Sequence, residues 1–273
     1  MLHYKVLLIG NGHVGKYLKD YWELPDSSHW KEPMQEIMEC DLDSFKPDVV
    51  VNTAAKTNLM WCQSNIHQTM MNNAVYPFRL GKLCDDRKIP FIHLSSGCVW
   101  RGPYKPDNTP FYPNDVVNPA CIYTYSKAIG DELLQDLDSA IVLRPRLVYS
   151  HFENQRNLLK KLSIYKQLLN TPNSITSIRT IAKTVEGIMS VKSSPKILNV
   201  YDKGVITPLQ IGTYLHIRGL RDMPEILERK NFNDYERVDV VMYDPVFEEL
   251  VNPPNVYEEL NYMIAEYKKV NNL

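Results

Sequence analysis

KVLLIGNGHVG, residues 5–15, decides the fold. Four apolar residues, Val6 to Ile9, run straight into glycines at positions 10, 12 and 15, and a helical pattern spans His13 to Tyr21. A buried strand that breaks into G-x-G-x-x-G and opens a helix is the first turn of a dinucleotide-binding βαβ unit. Gly10 permits the tight turn, Gly12 lets backbone approach a pyrophosphate, and Gly15 lets helix and strand pack closely. The helix N-terminus adds unpaired N–H groups and the positive end of a dipole. Gly10, Asn11, Gly12, His13, Val14 and Gly15 are therefore the expected cofactor cradle. A glycine turn without a ligand is the plain alternative.

The pattern continues outward from that turn. PDVVVNTAA (47–55), PFIHL (90–94) and SAIVLRP (139–145) read as further strands, with helices over Asn65 to Arg87 and Tyr123 to Leu137 between them. Continuous apolar strands separated by helices specify a parallel sheet covered on both faces. The expected class is α/β, a Rossmann-type doubly wound parallel sheet with a small C-terminal substrate-binding part. Prolines crowd 103–119, and a long connection of that kind is often a functional lid. Beyond 150 the spacing predicts a helix from Arg156 to Leu169, a loop at TPNSITS, a helix from Ile178 to Ser190, a strand at ILNVYD (197–202) and a helical tail. Residues 1–150 read as the dinucleotide-binding domain and 151–273 as mainly substrate-binding, interleaved with the first.

Composition narrows the class of partner. Apolar residues make up 44% and charged residues 23% of 273, with a net charge of -1. No face is expected to seek phosphate backbones, so nucleic acid is excluded as a partner. The five cysteines (40, 62, 84, 98 and 121) are dispersed and never form CxxC, which reads as reduced thiols in a cytoplasmic protein. The seven histidines show no HxxxH or HExxH spacing, so no metal is expected. The first strand meets glycine too early for a signal peptide, and no apolar run reaches the length of a membrane span.

An acidic residue about twenty positions after the glycines would grip the ribose of NAD. Here the region is ELPDSSHWKEP (23–33), with no clear second strand. Its Ser27, Ser28, His29 and Lys31 suit a 2′-phosphate better, which favours NADPH and leaves NADH open.

YTYSK places Tyr123 and Lys127 four residues apart, on one face of a helix. A tyrosine with an ordinary pKa of about 10 is a poor acid at neutral pH, and a lysine one turn away stabilises its phenolate. Ser96, at the end of the third apolar run, can hydrogen-bond the same substrate oxygen. Together the three can protonate a carbonyl while a nicotinamide supplies hydride.

The order GxGxxG, NTAA (52–55), Asn73, LSS (94–96), YxxxK and LRP (143–145) resembles the extended short-chain dehydrogenase/reductases of the dTDP-4-dehydrorhamnose reductase type. WCQSN (61–65), SSGCVW (95–100), YTYSK and QRNLLKKLSIYKQLLNTPNSIT (155–176) are similar to the plant and giant-viral UDP-4-keto-6-deoxyglucose 3,5-epimerase/4-reductases. The resemblance implies NADPH-dependent reduction of a 4-keto-6-deoxy nucleotide-diphosphate sugar with 3,5-epimerisation in the same site. It implies Ser96, Tyr123 and Lys127 as the reducing triad. Ala54, Ala55 and Lys56 would join the cofactor contacts, and Ser96, Gly97, Cys98, Asn157 and Asn173 the substrate contacts. It maps the epimerising pair onto Cys98 and Lys161, without saying which is the base. A homodimer is a habit of the family.

Taken alone, Cys98 reads as a packing thiol and Lys161 as a solvated helix lysine beside Lys160. If the extended path continues past Leu94, however, Ser96 and Cys98 project to the same side. Asn73 is expected to bond backbone and organise the site, and Arg144 and Arg146 to be sheet-end or diphosphate contacts. Two alternatives stay open: a 4-ketoreductase without epimerase activity, and a non-catalytic regulatory subunit on the same scaffold.

Overall fold

A computed structural model describes residues 4–32, 34–228 and 238–271. β1 (Val6–Ile9) runs through the Gly10 turn into α1 (His13–Tyr21), then β2 (His29–Trp30), α2 (Glu39–Phe45) and β3 (Val49–Asn52). Next come α3 (Leu59–Ser64), α4 (Ile66–Met70), a π-helical turn (Met71–Val75), α5 (Tyr76–Asp85) and β4 (Phe91–Leu94). α6 (Ile122–Gln135), β5 (Ala140–Pro145), β6 (Val148–Tyr149), α7 (Leu158–Ile164), β7 (Gln167–Leu169), β8 (Thr176–Ser177), α8 (Ile178–Ser190) and β9 (Ile197–Val200) follow. α9 (Pro208–Ile217), β10 (Glu225–Leu227), α10 (Pro245–Val251) and α11 (Val256–Val270) complete the described chain.

Six strands form one parallel sheet in the order β2-β1-β3-β4-β5-β9. Alternate side chains leave opposite faces, as the pleat requires. Leu8, Val51, Ile92 and Leu143 pack on one side with Leu18 of α1 and Ile181 and Val185 of α8. Leu7, Val50, Phe91 and Val142 pack on the other with Leu42 of α2, Leu80 of α5 and Leu134 of α6. Each fully buried aliphatic side chain contributes roughly 1.5–3 kcal/mol. β9, from beyond residue 150, pairs with β5, so the two halves of the chain share one sheet.

Strand order reverses at β1, which has β2 on one side and β3 on the other. Ligands of such sheets lie across the strand carboxyl ends at that switch point. Register brings those ends level: Ile9 faces Asn52, Asn52 faces His93, and Leu94 faces Leu143.

Four expectations need correction. A second strand does exist: His29 and Trp30 pair with Leu8 and Ile9. The helix expected over 65–87 ends at Asp85 and widens to a π turn at 71–75. The helix expected to reach Leu169 stops at Ile164, because Gln167–Leu169 pairs with Glu225–Leu227 in a separate two-stranded sheet. The TPNSITS loop ends in β8, which pairs with β6. The proline-rich connection is pinned rather than loose: Phe111 exchanges backbone bonds with Val241 and Tyr243 at 2.9 Å and stacks on Trp100 at 5.3 Å.

Candidate active site

The glycine turn sits at the switch point, and each glycine has a distinct geometric reason. Gly10 has φ +110, and a Cβ there would lie 2.7 Å from the Ala54 nitrogen and from Thr53 Oγ1. A Cβ on Gly15 would lie 1.9 Å from the Gly10 carbonyl oxygen, so α1 can dock only with glycine there. Gly12 is different: the nearest atom to its Cβ would be Arg156 Nη1 at 3.7 Å. That side of the turn is open, and no side chain caps α1. An open backbone edge, uncapped helical N–H groups and a neighbouring guanidinium fit a dinucleotide pyrophosphate. Thr53 closes the floor, its hydroxyl donating to the Ile9 carbonyl at 2.8 Å.

His13 opens α1 from beneath. Its Nε2 lies 3.2 Å from Ser150 Oγ, and its pKa falls to about 4, through burial first and the nearby positive charges of Lys161 and Arg156 second. The imidazole is therefore neutral at physiological pH. On the ribose side, His29 Nε2 lies 3.0 Å from the Gly10 carbonyl, so this ring braces the turn instead of facing outward as a phosphate ligand. Ser28 is buried as well. Lys31 and Lys19 converge on Asp26 at 3.2 and 2.9 Å, which puts two ammonium groups beside the end of β2.

Asn73 organises the next wall. Its Oδ1 accepts from the Lys56 backbone N–H at 2.8 Å, and its Nδ2 donates to the Lys56 carbonyl at 2.9 Å and to Ser126 Oγ at 3.0 Å. The chain after Ala54 and Ala55 is thus clamped to α6. Gly130 makes the clamp possible, since a Cβ there would meet the Asn73 carbonyl at 2.6 Å. Cys62 is fully buried behind this wall, where burial pushes its thiol up.

Past Leu94 the chain does not stay extended. Ser96 caps a 3-10 turn over Gly97–Val99, its Oγ accepting from the Cys98 N–H at 3.1 Å. Gly97 is required there because Met242 packs against it; a Cβ would sit 2.4 Å from the Met242 sulfur. The turn, and not strand alternation, brings Ser96 and Cys98 to the same place. Both side chains face the Tyr123 hydroxyl: Ser96 bonds it, and Cys98 lies close enough to perturb it. Burial drives the phenol well above its ordinary value, the Cys98 thiol adds to the rise, and the Ser96 bond opposes it. Tyr123 is accordingly held as a neutral acid.

Lys127 is buried one turn along α6 from Tyr123. Its ammonium donates to the Leu94 carbonyl at 3.0 Å. Burial pushes its pKa down to about 8, with Asp131 opposing. In this state the lysine anchors the carboxyl end of β4, one helical turn from Tyr123.

Two arginines at the sheet end diverge. Arg144 Nε pairs with Asp131 of α6 at 2.7 Å, and its Nη1 donates to the Pro113 carbonyl at 2.9 Å, which ties α6 to the proline-rich connection. Arg146 enters the site, its Nη1 donating to Cys98 Sγ at 3.1 Å.

On α7 the neighbouring lysines part company. Lys160 pairs with Glu153 at 2.5 Å, whereas Lys161 is the charge that acts on His13. The asparagines expected at the substrate are consumed by the scaffold. Asn157 accepts from Ser150 and Leu159 N–H and donates to the Ser150 and Phe152 carbonyls. Asn173 accepts from Arg146 and the Val240 N–H and donates to the Thr171 carbonyl and to Asp239. An amide side chain offers two donors and two acceptor sites, and each of these asparagines uses all four on the protein. Sequence reading overlooked Arg156, although it stands beside Asn157 in QRN, and could not place Arg146.

The parallel sheet, the glycine cradle at its switch point and the Ser96–Tyr123–Lys127 grouping define an extended short-chain dehydrogenase/reductase. More narrowly, the chain belongs to the family described as the RmlD substrate binding domain, whose model matches residues 20–180. It is 30% identical over 188 residues to the trifunctional UDP-glucose 4,6-dehydratase/UDP-4-keto-6-deoxy-D-glucose 3,5-epimerase/UDP-4-keto-L-rhamnose-reductase of Arabidopsis thaliana. That match covers 59% of this chain and only 27% of the plant protein. Its fold is similar to the L780 UDP-rhamnose synthase of Acanthamoeba polyphaga mimivirus, with a TM-score of 0.85 at 18% identity over 97% of this chain and 100% of that one. It is also similar to the dTDP-4-dehydrorhamnose reductase of Bacillus anthracis in complex with NADP, with a TM-score of 0.79 at 15% identity over 96% and 99% of the two chains. Among the described residues no helix is long and apolar enough to cross a membrane.

Proposed function

We propose that the protein reduces a 4-keto-6-deoxy nucleotide-diphosphate sugar with NADPH, and epimerises C3 and C5 of the sugar in the same site. The observation that carries this reading is the meeting of Ser96, Cys98 and the Tyr123 hydroxyl at the carboxyl end of β4, with Lys127 directly behind.

The nicotinamide, when bound, supplies the hydride. Gly12, the open first turn of α1 and Arg156 would hold its pyrophosphate. Lys19 and Lys31 favour the 2′-phosphate of NADPH over NADH. The chain's own residues do the rest. Ser96 Oγ and Tyr123 Oη converge on one point, so both can bond the C4 carbonyl oxygen. Tyr123 then gives its proton to that oxygen, and the positive charge of Lys127 stabilises the phenolate left behind. Protons on C3 and C5 are acidified by the same ketone. Cys98 stands beside Ser96, next to the adjacent ring carbons, and Lys161 approaches from α7 on the His13 side. One removes a proton and the other returns one to the opposite face. Residues 1–150 then act chiefly on the dinucleotide and 151–273 chiefly on the sugar nucleotide, sharing the sheet through β9.

The direct test is turnover of UDP-4-keto-6-deoxyglucose, and of its dTDP analogue, with NADPH, followed by mass spectrometry of the sugar. A reduced 6-deoxyhexose supports the reading. Absence of turnover with both nucleotides overturns it and favours a non-catalytic role for the same scaffold.

A further inference from the structure

α7 is built against the glycine turn from two sides. On one side Arg156, the residue before its cap, stands over Gly12, its Nη1 3.7 Å from where a Cβ on that glycine would lie. On the other, a chain of buried hydrogen bonds runs from the first residue of α1 into α7. His13 Nε2 lies 3.2 Å from Ser150 Oγ, just past the end of β6. The Ser150 N–H donates to Asn157 Oδ1 at 3.1 Å, and Asn157 Nδ2 donates back to the Ser150 carbonyl at 2.8 Å. Asn157 caps α7: its side chain accepts from the Leu159 N–H at 3.2 Å, and its carbonyl accepts from the Lys161 N–H at 3.1 Å. The loop between them folds onto the same hydroxyl, since the Phe152 N–H donates to Ser150 Oγ at 3.2 Å. His13, Ser150 and Asn157 are all buried. Water cannot take over these bonds without opening the core, and a buried polar group left unpaired costs about 1–3 kcal/mol. The glycine turn and the start of α7 are therefore held to one another through Ser150.

We infer that Ser150 is a positioning residue: it joins His13 on the glycine turn to the Asn157 cap of α7, so that NADPH bound at the turn fixes where α7 stands, and Lys161 with it. The inference deepens the function proposed above and rests on its cofactor cradle. A dinucleotide seated on the open edge of Gly12 restrains the backbone that carries His13. His13 restrains Ser150, and Ser150 restrains the cap from which the α7 hydrogen-bond ladder starts. Ordering one end of such a chain makes the other end cheaper to order. The coupling is reciprocal, so a fixed α7 favours the occupied turn by the same factor. The asparagine of QRN thereby links the cofactor side of the site to the sugar side through bonds to the protein.

The test follows amide hydrogen exchange of the whole protein by mass spectrometry, without NADPH and with NADPH at a concentration that saturates each protein. No sugar is present. In the unsubstituted protein NADPH should slow exchange in α1, at the turn, and in α7 by roughly fivefold or more. In Ser150→Ala the slowing in α1 should remain and the slowing in α7 should disappear. Ser150→Thr keeps the hydroxyl and should bring it back. A serine that served packing alone would raise exchange in α7 with and without NADPH and leave the effect of NADPH intact. That result in Ser150→Ala overturns the inference and leaves Arg156 as the link. So does an unsubstituted protein in which NADPH leaves exchange in α7 unchanged, whether or not the variants fold. Turnover of the keto sugar is read separately: its absence with α7 protected strikes the proposed reaction alone, and turnover with α7 unprotected strikes this inference alone.

Discussion

The ammonium of Lys127 donates to the Leu94 carbonyl at 3.0 Å, while the Tyr123 hydroxyl one turn earlier on α6 faces Ser96. The phenol and the ammonium therefore lean on one chain end, at Ser96 and Leu94, on either side of Ser95. Under the proposed reaction, that arrangement ties the alkaline limit of reduction to the lysine. Burial raises the phenol, so Tyr123 keeps its proton across the working range, whereas Lys127 loses its charge as pH passes about 8. The rate of reduction should fall above about pH 8. Lys127→Arg, if active, should move that limb upward, since a guanidinium stays charged. Tyr123→Phe should abolish reduction at every pH. A kcat profile across pH 6–10 for the three proteins checks all of this.

The three glycines of the turn should separate by what their Cβ would strike. Gly15→Ala places a methyl 1.9 Å from the Gly10 carbonyl and should cost at least about 2 kcal/mol of stability, read from denaturant unfolding. Gly12→Ala meets nothing nearer than 3.7 Å and should leave stability within about 0.5–1 kcal/mol of the parent, the ordinary cost of a surface change. Its effect should appear in NADPH affinity, measured by fluorescence titration.

Asp202 predicts a stability slope with pH. It accepts from Tyr149 Oη at 2.7 Å, the Ser177 N–H at 2.8 Å and Thr180 Oγ1 at 2.5 Å, yet burial raises its pKa to about 7. Between the unfolded carboxyl value of about 3.9 and about 7, the folded state holds a proton that the unfolded chain has released. Stability from this group is complete at low pH, falls as pH rises to about 7, and is level above. Asp202→Asn should remove that part of the slope in urea unfolding measured from pH 4 to 8.

Much of this site could be read from the chain alone, and the reasons are local. The glycine turn, the Ser96 strand end and the Tyr123–Lys127 spacing each depend on neighbours within a few residues. What could not be read depends on distant partners. β2 is two residues long and is recognisable only through its pairing with Leu8 and Ile9. The break after Ile164 reflects a pairing with residues 225–227, about sixty positions on. The turn at Gly97 answers to Met242, and the guanidinium on Cys98 comes from Arg146, 48 residues away. The resemblance puts Asn157 and Asn173 among the substrate contacts; only the structure shows how their side-chain amides bond to the protein.

The central claim is that one site both exchanges protons and reduces. The most direct measurement is turnover of UDP-4-keto-6-deoxyglucose with NADPH in D2O, with deuterium located in the product by NMR. We predict deuterium at C3 and C5 of a reduced 6-deoxy sugar. With Cys98→Ala, an already epimerised ketone should still be reduced, but proton exchange should stop. Reduction without deuterium in the unsubstituted protein, or normal exchange in Cys98→Ala, would contradict the account.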